Sequence, residues 1–251
     1  MGEIKIPKEK KPGLLVAYPF VERFFKDEYN YEYRDWVMDS GAFSAWSSGT
    51  EIDLDDYIDE CKRLLDGDNP PSEIFALDVI GEWRPSVSNC EKMWKEGIEA
   101  IPTFHYGSPW DVLHRLVDNY PKVAIGGIAK MHGEKRYRFI DQVFARAWPK
   151  KLHGFGIGEE KGTLRLPWHS VDSSVWELMP CGFGKWRTYG DLTLRGTSQD
   201  LRAELGWYLN LERRARWKWR KEMESLGEPP GLKPDIRLST VGRGSGLRAM
   251  D

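Results

Sequence analysis

The stretch Trp36-Val37-Met38-Asp39-Ser40-Gly41-Ala42-Phe43-Ser44 decides the fold. An apolar run of strand type delivers a carboxylate, Asp39, into Ser40-Gly41, and a helical pattern opens further on at Asp53. An acid at the mouth of a strand is a chemical group for which packing offers little use. Three later stretches share this build: Phe75 to Gly81 around Asp78, Val123 to Ala129 around Gly126-Gly127, and Leu166 to Ser174 around Asp172. The pattern points to an enzyme that gathers groups from several strand ends over one pocket.

Outward from this stretch, strands alternate with helices. Leu14 to Ala17 reads as a short buried strand closed by Tyr18-Pro19, and Phe20, Phe24 and Phe25 suggest a short helix before the strand at Trp36. Asp53 caps a helix with apolar positions at Leu54, Tyr57, Ile58, Cys61, Leu64 and Leu65, ended by the run from Asp66 to Pro71. Ile74 to Ile80 is apolar nearly throughout, as a strand buried on both faces of a parallel sheet should be. Ser88 and Glu91 form a capping box, Ile101 to Phe104 is a strand, and Ser108-Pro109-Trp110-Asp111 is a strong helix start. Lys122 to Ile125, Leu152 to Ile157 and Leu166 to Val171 read as further strands, with a helix over Glu134 to Ala147.

Such alternation allows an open doubly wound sheet or a closed barrel. An open sheet concentrates its ligand contacts at one switch point, whereas here polar groups end strand after strand: Asp39, Asp78, His105, Gly126-Gly127, Gly156-Gly158 and Asp172. That distribution favours a (β/α)8 TIM-like barrel over residues 1–196, with an irregular or incomplete eighth unit. Cys181 to Arg195 reads as a hairpin or excursion across it. A C-terminal helical extension follows over 197–226, with Leu201, Leu205, Tyr208, Glu212, Ala215 and Trp219 on one line, and then a flexible tail over 227–251.

The 251 residues are 40% hydrophobic, enough for one sizeable core. With 37 basic and 39 acidic side chains the net charge is -2, so nucleic-acid binding has to come from a local patch. Three scattered cysteines, Cys61, Cys90 and Cys181, argue against a disulfide framework and a thiolate zinc site, and fit a reducing compartment. With neither a long apolar run nor a signal-peptide pattern, a cytoplasmic protein without a membrane partner is expected.

Several aspartates in one apolar-walled pocket have different acidities, which separates an acid or base from a nucleophile. The chemistry this suggests is at an anomeric carbon, or proton handling on a ring. The structural alternatives are that Asp39 caps the turn into Ser40-Gly41, that Asp78 is a hydrogen-bonded core acid, and that Asp172 caps residues 173–178. Gly126-Gly127 permits close backbone approach to a flat ligand, and His105 faces the strand mouth. Gly154, Gly156 and Gly158 lack the helix and second pattern of a dinucleotide site, and no short ligand spacing supports a metal site, so no cofactor is expected. Arg213, Arg216, Trp217 and Arg220 form a basic, indole-bearing helix face suited to phosphate and base.

In this order the motifs resemble those of the tRNA-guanine transglycosylase superfamily, including its smaller phage and bacterial relatives that place 7-deazaguanines into DNA. Asp39-Ser40-Gly41-Ala42-Phe43-Ser44 stands where the family carries Asp-Ser-Gly-Gly-Phe/Tyr-Gln. Asp78, Gly126-Gly127-Ile128-Ala129, Gly156-Ile157-Gly158 and Asp172 match its later acid, glycine pair, glycine-alternating strand and nucleophile. The resemblance implies that Asp172 attacks C1′ of a guanine nucleotide, that Asp39 assists proton transfer, and that Asp78 and the amides near Gly127 read the purine edge. Ser40, His105, Gly126 and Gly158 complete the expected base-binding set. Guanine would be exchanged for 7-cyano- or 7-aminomethyl-7-deazaguanine without any cofactor.

Three departures bear on the polynucleotide: the family's zinc cluster has no counterpart, Thr103 to Gly107 replaces a segment bearing a glutamine, and the arginines after the nucleophile are not recognisable. They favour DNA over tRNA as substrate and leave room for a second copy or a partner protein to supply substrate contacts. If the chain is phage-encoded, its compartment is the host cytoplasm. The competing readings are a glycosidase or nucleoside-hydrolase-like barrel using the same aspartates, and a noncatalytic nucleic-acid-binding barrel.

Overall fold

A computed structural model of the chain describes residues 11–30, 32–128, 131–185 and 201–227. Most of the expected excursion, residues 186–195, and all of the expected tail but Gly227 lie outside the described residues, as does Ala129. The chain divides into two compact units, one up to Phe155 and one from Gly156.

The first unit is an alternating α/β architecture built on parallel strands. These are β1 (Leu14–Ala17), β2 (Trp36–Asp39), β3 (Glu73–Ile74), β4 (Thr103–His105), β5 (Lys122–Gly126) and β6 (Lys151–Gly154). One sheet runs β1-β2-β3 and a second carries β4, β5 and β6 in that order; a parallel bridge between Phe75 and Ile101 joins β3 to the approach of β4. Each strand therefore lies beside its predecessor in sequence. The register pairs Ala17 with Asp39 and His105 with Gly126, which brings the ends of these neighbouring strands level with one another.

The connecting helices are α1 (Val21–Asp27), α2 (Ala42–Ser48), α3 (Leu54–Leu65), α4 (Trp83–Lys95), α5 (Trp110–Asn119) and α6 (Gly133–Ala147). Helix α3 forms where the sequence requires it: the Asp53 carboxylate accepts from the amides of Asp55 at 2.8 Å and Asp56 at 3.1 Å. Its buried residues are Tyr57, Ile58, Cys61 and Leu64, one face at helical spacing. Phe75, Ile101 and Ala124 form a buried cluster against which Leu15, Val37 and Phe155 also pack. Leu15 on the first strand and Phe155 just past the sixth thus pack against the same cluster. At the opening of β5, Lys122 is buried and pairs with Glu73 at 2.5 Å, tying β5 to β3.

Several boundaries differ from expectation. The strand expected over Ile74 to Ile80 leaves the ladder after Phe75, because side chains of α4 satisfy its backbone: Asn89 donates to the Leu77 carbonyl, and the Ser86 hydroxyl accepts from the Val79 amide at 2.9 Å. Ser88 is not a cap, since α4 begins at Trp83 and holds Ser88 inside it; Pro85 falls in its first turn, where a missing N–H costs little. Ser108 is displaced as cap by Pro109, one residue on. Helix α2 follows Gly41 at once and was not expected.

The second unit contains α7 (Glu160–Thr163), β7 (Ser170–Val171), α8 (Val175–Glu177), a wide turn over Leu178–Gly182, α9 (Leu201–Lys218) and α10 (Arg220–Ser225). The strand expected from Leu166 shrinks to Ser170–Val171, because Trp168 turns inward and its indole donates to the Gly162 carbonyl at 3.1 Å. The buried residues of α9 include Glu204, Asn210 and Leu211, so its inner face is partly polar and differs from the expected line through Leu201, Leu205 and Glu212. Trp219 interrupts the helix, and its indole donates to the Leu164 carbonyl, which Lys218 also reaches. Among the described residues no helix is long and apolar enough to cross a membrane.

Candidate active site

In the first unit the expected groups at the strand ends occupy defined positions. Asp39 closes β2, and its Oδ2 accepts from the Gly41 amide at 3.0 Å. Gly41 has φ 74°, and a Cβ there would lie 2.6 Å from Pro19 Cδ, so glycine is required by backbone and space together. Ser40 is buried, and its hydroxyl accepts from the Ala42 amide as α2 begins. Asp39 therefore performs the turn-capping role, and that role fixes the direction of its carboxylate.

Asp78 and His105 come together: His105 Nε2 lies 3.2 Å from Asp78 Oδ2, with only 12% and 13% of the two side chains exposed. Burial disfavours the imidazolium, but the charge of Asp78 and its hydrogen bond outweigh this, so the His105 pKa lies above its ordinary value. Two further polar atoms of the pair, Asp78 Oδ1 and His105 Nδ1, are buried without a hydrogen-bond partner, as is the neighbouring Thr103 Oγ1. Such orphaned atoms cost about 1–3 kcal/mol each, and in a native fold they call for an explanation.

Gly126 forms the adjacent wall. A Cβ at Gly126 would lie 2.7 Å from Thr103 Cγ2 and 3.0 Å from His105 Cδ2, so the imidazole occupies the space that a side chain would take. Gly127 is left-handed, with φ 72°, and a Cβ there would crowd the Tyr106 amide at 3.0 Å. The glycine pair thus has a steric reason at both positions. Behind it, Tyr57 is fully buried, donates to the Phe75 carbonyl at 2.8 Å, and is held well above ordinary phenol acidity by burial first and then by nearby groups including Asp39 and Asp78. Both carboxylates consequently act on one neutral phenol.

His153 is a core residue, stacked with Phe75 at 4.6 Å and Phe155 at 4.7 Å. Among the described residues no cluster of three or more histidine, cysteine or acidic side chains is arranged to hold a metal. Sequence reading missed Thr103 and Tyr57. Thr103 was accessible by strand periodicity, since it lies two residues before His105 and therefore on the same face.

In the second unit, Asp172 follows β7, and its Oδ1 accepts from the Gly156 amide at 3.1 Å. The Ser173 hydroxyl accepts from the Val175 amide at 3.1 Å where α8 begins. Gly158 is packed so closely that a Cβ would overlap the Ser173 side chain, which gives this glycine a packing reason.

On α9 and α10, Trp217 keeps 37% of its surface, and the Arg220 guanidinium lies 4.8 Å from its ring centroid. Arg216 pairs with Glu212 at 3.6 Å along the helix, and the neighbouring Arg214 pairs with Glu160. The indole and one arginine already form a stacked unit, with Arg213 half-exposed on the same stretch. Compared with known proteins, the chain matches no family model and no curated protein sequence.

Proposed function

We propose that the chain is a base-exchange glycosyltransferase that replaces guanine in a polynucleotide, DNA in preference to tRNA, with a 7-deazaguanine. The observation that carries this reading is the row of groups at and after successive strands: Asp39 closing β2, Asp78 in the segment after β3 paired with His105 closing β4, and Gly126-Gly127 at the end of β5. Acid, imidazole and glycine backbone in that sequence suit a flat, hydrogen-bonding heterocycle. The strict sequential order of parallel strands, with Leu15 and Phe155 packing on one cluster, supports a barrel of the (β/α)8 type, where such a row belongs to the working face.

In this reading the Asp172 carboxylate attacks C1′ while the bond from C1′ to guanine N9 breaks. The departing base receives a proton through Asp39, and the sugar is left esterified to Asp172. The incoming base then attacks C1′ with its own ring nitrogen, the ester bond breaks, the proton released returns to Asp39, and Asp172 is regenerated. Two displacements retain the anomeric configuration, and neither requires ATP, redox cofactor or metal. A target inside a duplex leaves the stack to react, and Trp217 with Arg213, Arg216 and Arg220 would hold backbone nearby. The reaction belongs in the cytoplasm, in the host's if the chain is phage-encoded.

The test is incorporation of labelled guanine and labelled 7-aminomethyl-7-deazaguanine into DNA and, separately, into tRNA. Label entering polymer is the expected result. Release of free base without entry into polymer would make the protein a hydrolase, and binding without either would make it a nucleic-acid-binding module.

A further inference from the structure

Helix α6 departs from the acidic balance of the chain. Its cations Lys135, Arg136, Arg138 and Arg146 outnumber its acids Glu134 and Asp141, four against two, in a protein of net charge -2. Lys135, Arg138 and Arg146 are exposed, and among the described residues none of the three pairs with an acid. They stand three and eight residues apart, which places them on one face of the helix.

Two of these cations lie against aromatic rings carried by the segment from β4 into α5. The Lys135 ammonium is 5.3 Å from the Tyr106 ring centroid, and the Arg146 guanidinium is 4.2 Å from that of Trp110. Buried Phe139 packs on both rings, at 5.1 Å from Tyr106 and 5.9 Å from Trp110. Tyr106 is held further by its amide, which donates to the Gly126 carbonyl at 3.1 Å, yet it keeps 43% of its surface exposed. A large ring already anchored along one edge and left open loses little freedom when a partner covers it. The strip begins one residue past His105 and follows α6 for roughly 16 Å of helix rise from Lys135 to Arg146.

We propose that this strip binds single-stranded nucleic acid, with a base stacked on Tyr106 and phosphates held by Lys135, Arg138 and Arg146. The cations select a polyanion, and the rings set between them select one that carries flat faces, which an acidic peptide does not offer. Bases paired in a duplex are already stacked on their neighbours, so an exposed ring points to an unpaired strand. The acid nearest in sequence, exposed Asp111 on α5, follows Trp110 and would repel phosphate there, so stacking is assigned to Tyr106. Because Tyr106 directly follows His105, a strand bound here lies beside the strand-end groups and positions the nucleotides that flank the reacting one. The inference rests on the base-exchange reading for that placement. It goes beyond that reading in the form of the strand and in the residues of the first unit that hold it.

The experiment measures binding of a fluorescent oligothymidylate to the full chain by anisotropy over a series of salt concentrations, with an abasic strand of the same length as second probe. Wild type is expected to bind oligothymidylate about tenfold tighter than the abasic strand, with Tyr106→Ala losing that margin and Tyr106→Phe keeping it. Replacing Lys135, Arg138 and Arg146 together by glutamine should weaken both probes and flatten the salt slope by about 0.7 for each phosphate released, about 2 in all. Equal or absent binding of the two strands by wild type, an unchanged margin in Tyr106→Ala, or an unchanged slope in the triple variant would each overturn the proposal. Oligothymidylate contains no guanine, so strand binding with this pattern but without base exchange sustains the inference and defeats the catalytic reading. Base exchange with strand binding untouched by these substitutions does the reverse.

Discussion

The first unit carries its candidate groups on repeated strand-helix units, and the second carries its candidate carboxylate, Asp172, just after a two-residue strand. Asp39 ends β2 level with Ala17 of β1, and His105 and Gly126 end β4 and β5 level with each other, so each group is positioned by a strand ladder. Asp172 follows a two-residue strand, and the contact described for it is the 3.1 Å bond from the Gly156 amide. The difference teaches where position comes from: a row of strand-end groups can be built by repeated strand-helix units, whereas a carboxylate after so short a strand depends on local turn geometry.

Substitutions probe this contrast. The largest effect is expected from Trp168→Ala in the second unit, which empties a buried indole site and removes its bond to Gly162, at about 3–5 kcal/mol. Denaturant unfolding should then show the second unit melting first, with guanine binding by the first unit preserved; one shared transition would show the units to be coupled. Gly126→Ala comes next, because its Cβ meets Thr103 and His105, at about 1–3 kcal/mol together with loss of guanine binding. Normal guanine affinity in a folded Gly126→Ala protein would remove this wall from the site.

A smaller effect is expected from Asp53→Ala, which deletes the two cap bonds of α3, at about 1 kcal/mol in thermal unfolding and with no change in ligand affinity. Smallest for stability is the triple replacement of Arg213, Arg216 and Arg220 by alanine, within about 0.5 kcal/mol per site. Its effect should appear instead in polynucleotide affinity, with the salt slope reduced by about 0.9 for each phosphate of duplex DNA that is no longer neutralised. Unaltered binding and slope would take the helix out of the interface.

How much of this was legible follows the same division. Strands at Leu14, Trp36 and Lys122 and the helices opened by Asp53 and Trp110 stand out because apolar spacing and turn residues agree there. Helix α2 was hidden because Phe43 and Trp46, which would suggest a buried stripe, are both exposed. The apolar run from Ile74 to Ile80 looks like a ladder strand, but Ser86 and Asn89 of α4 take over its backbone, a tertiary choice that no local pattern encodes. Buried Glu204 and Asn210 escape any hydrophobic periodicity for the same reason. In the site, Asp78 and His105 were visible singly as strand-end groups, whereas their pairing depends on the alignment of β4 with the segment after β3.

The base-exchange account turns on the carboxylate of Asp172, and the most direct measurement is trapping of a covalent adduct between protein and guanine-containing polynucleotide under denaturing conditions. Wild type should yield a slow-migrating species that guanine or a 7-deazaguanine discharges, and Asp172→Asn, with unchanged folding, should yield none. An adduct of equal yield in Asp172→Asn, or labelled base entering polymer at the wild-type rate with that substitution, would contradict the account.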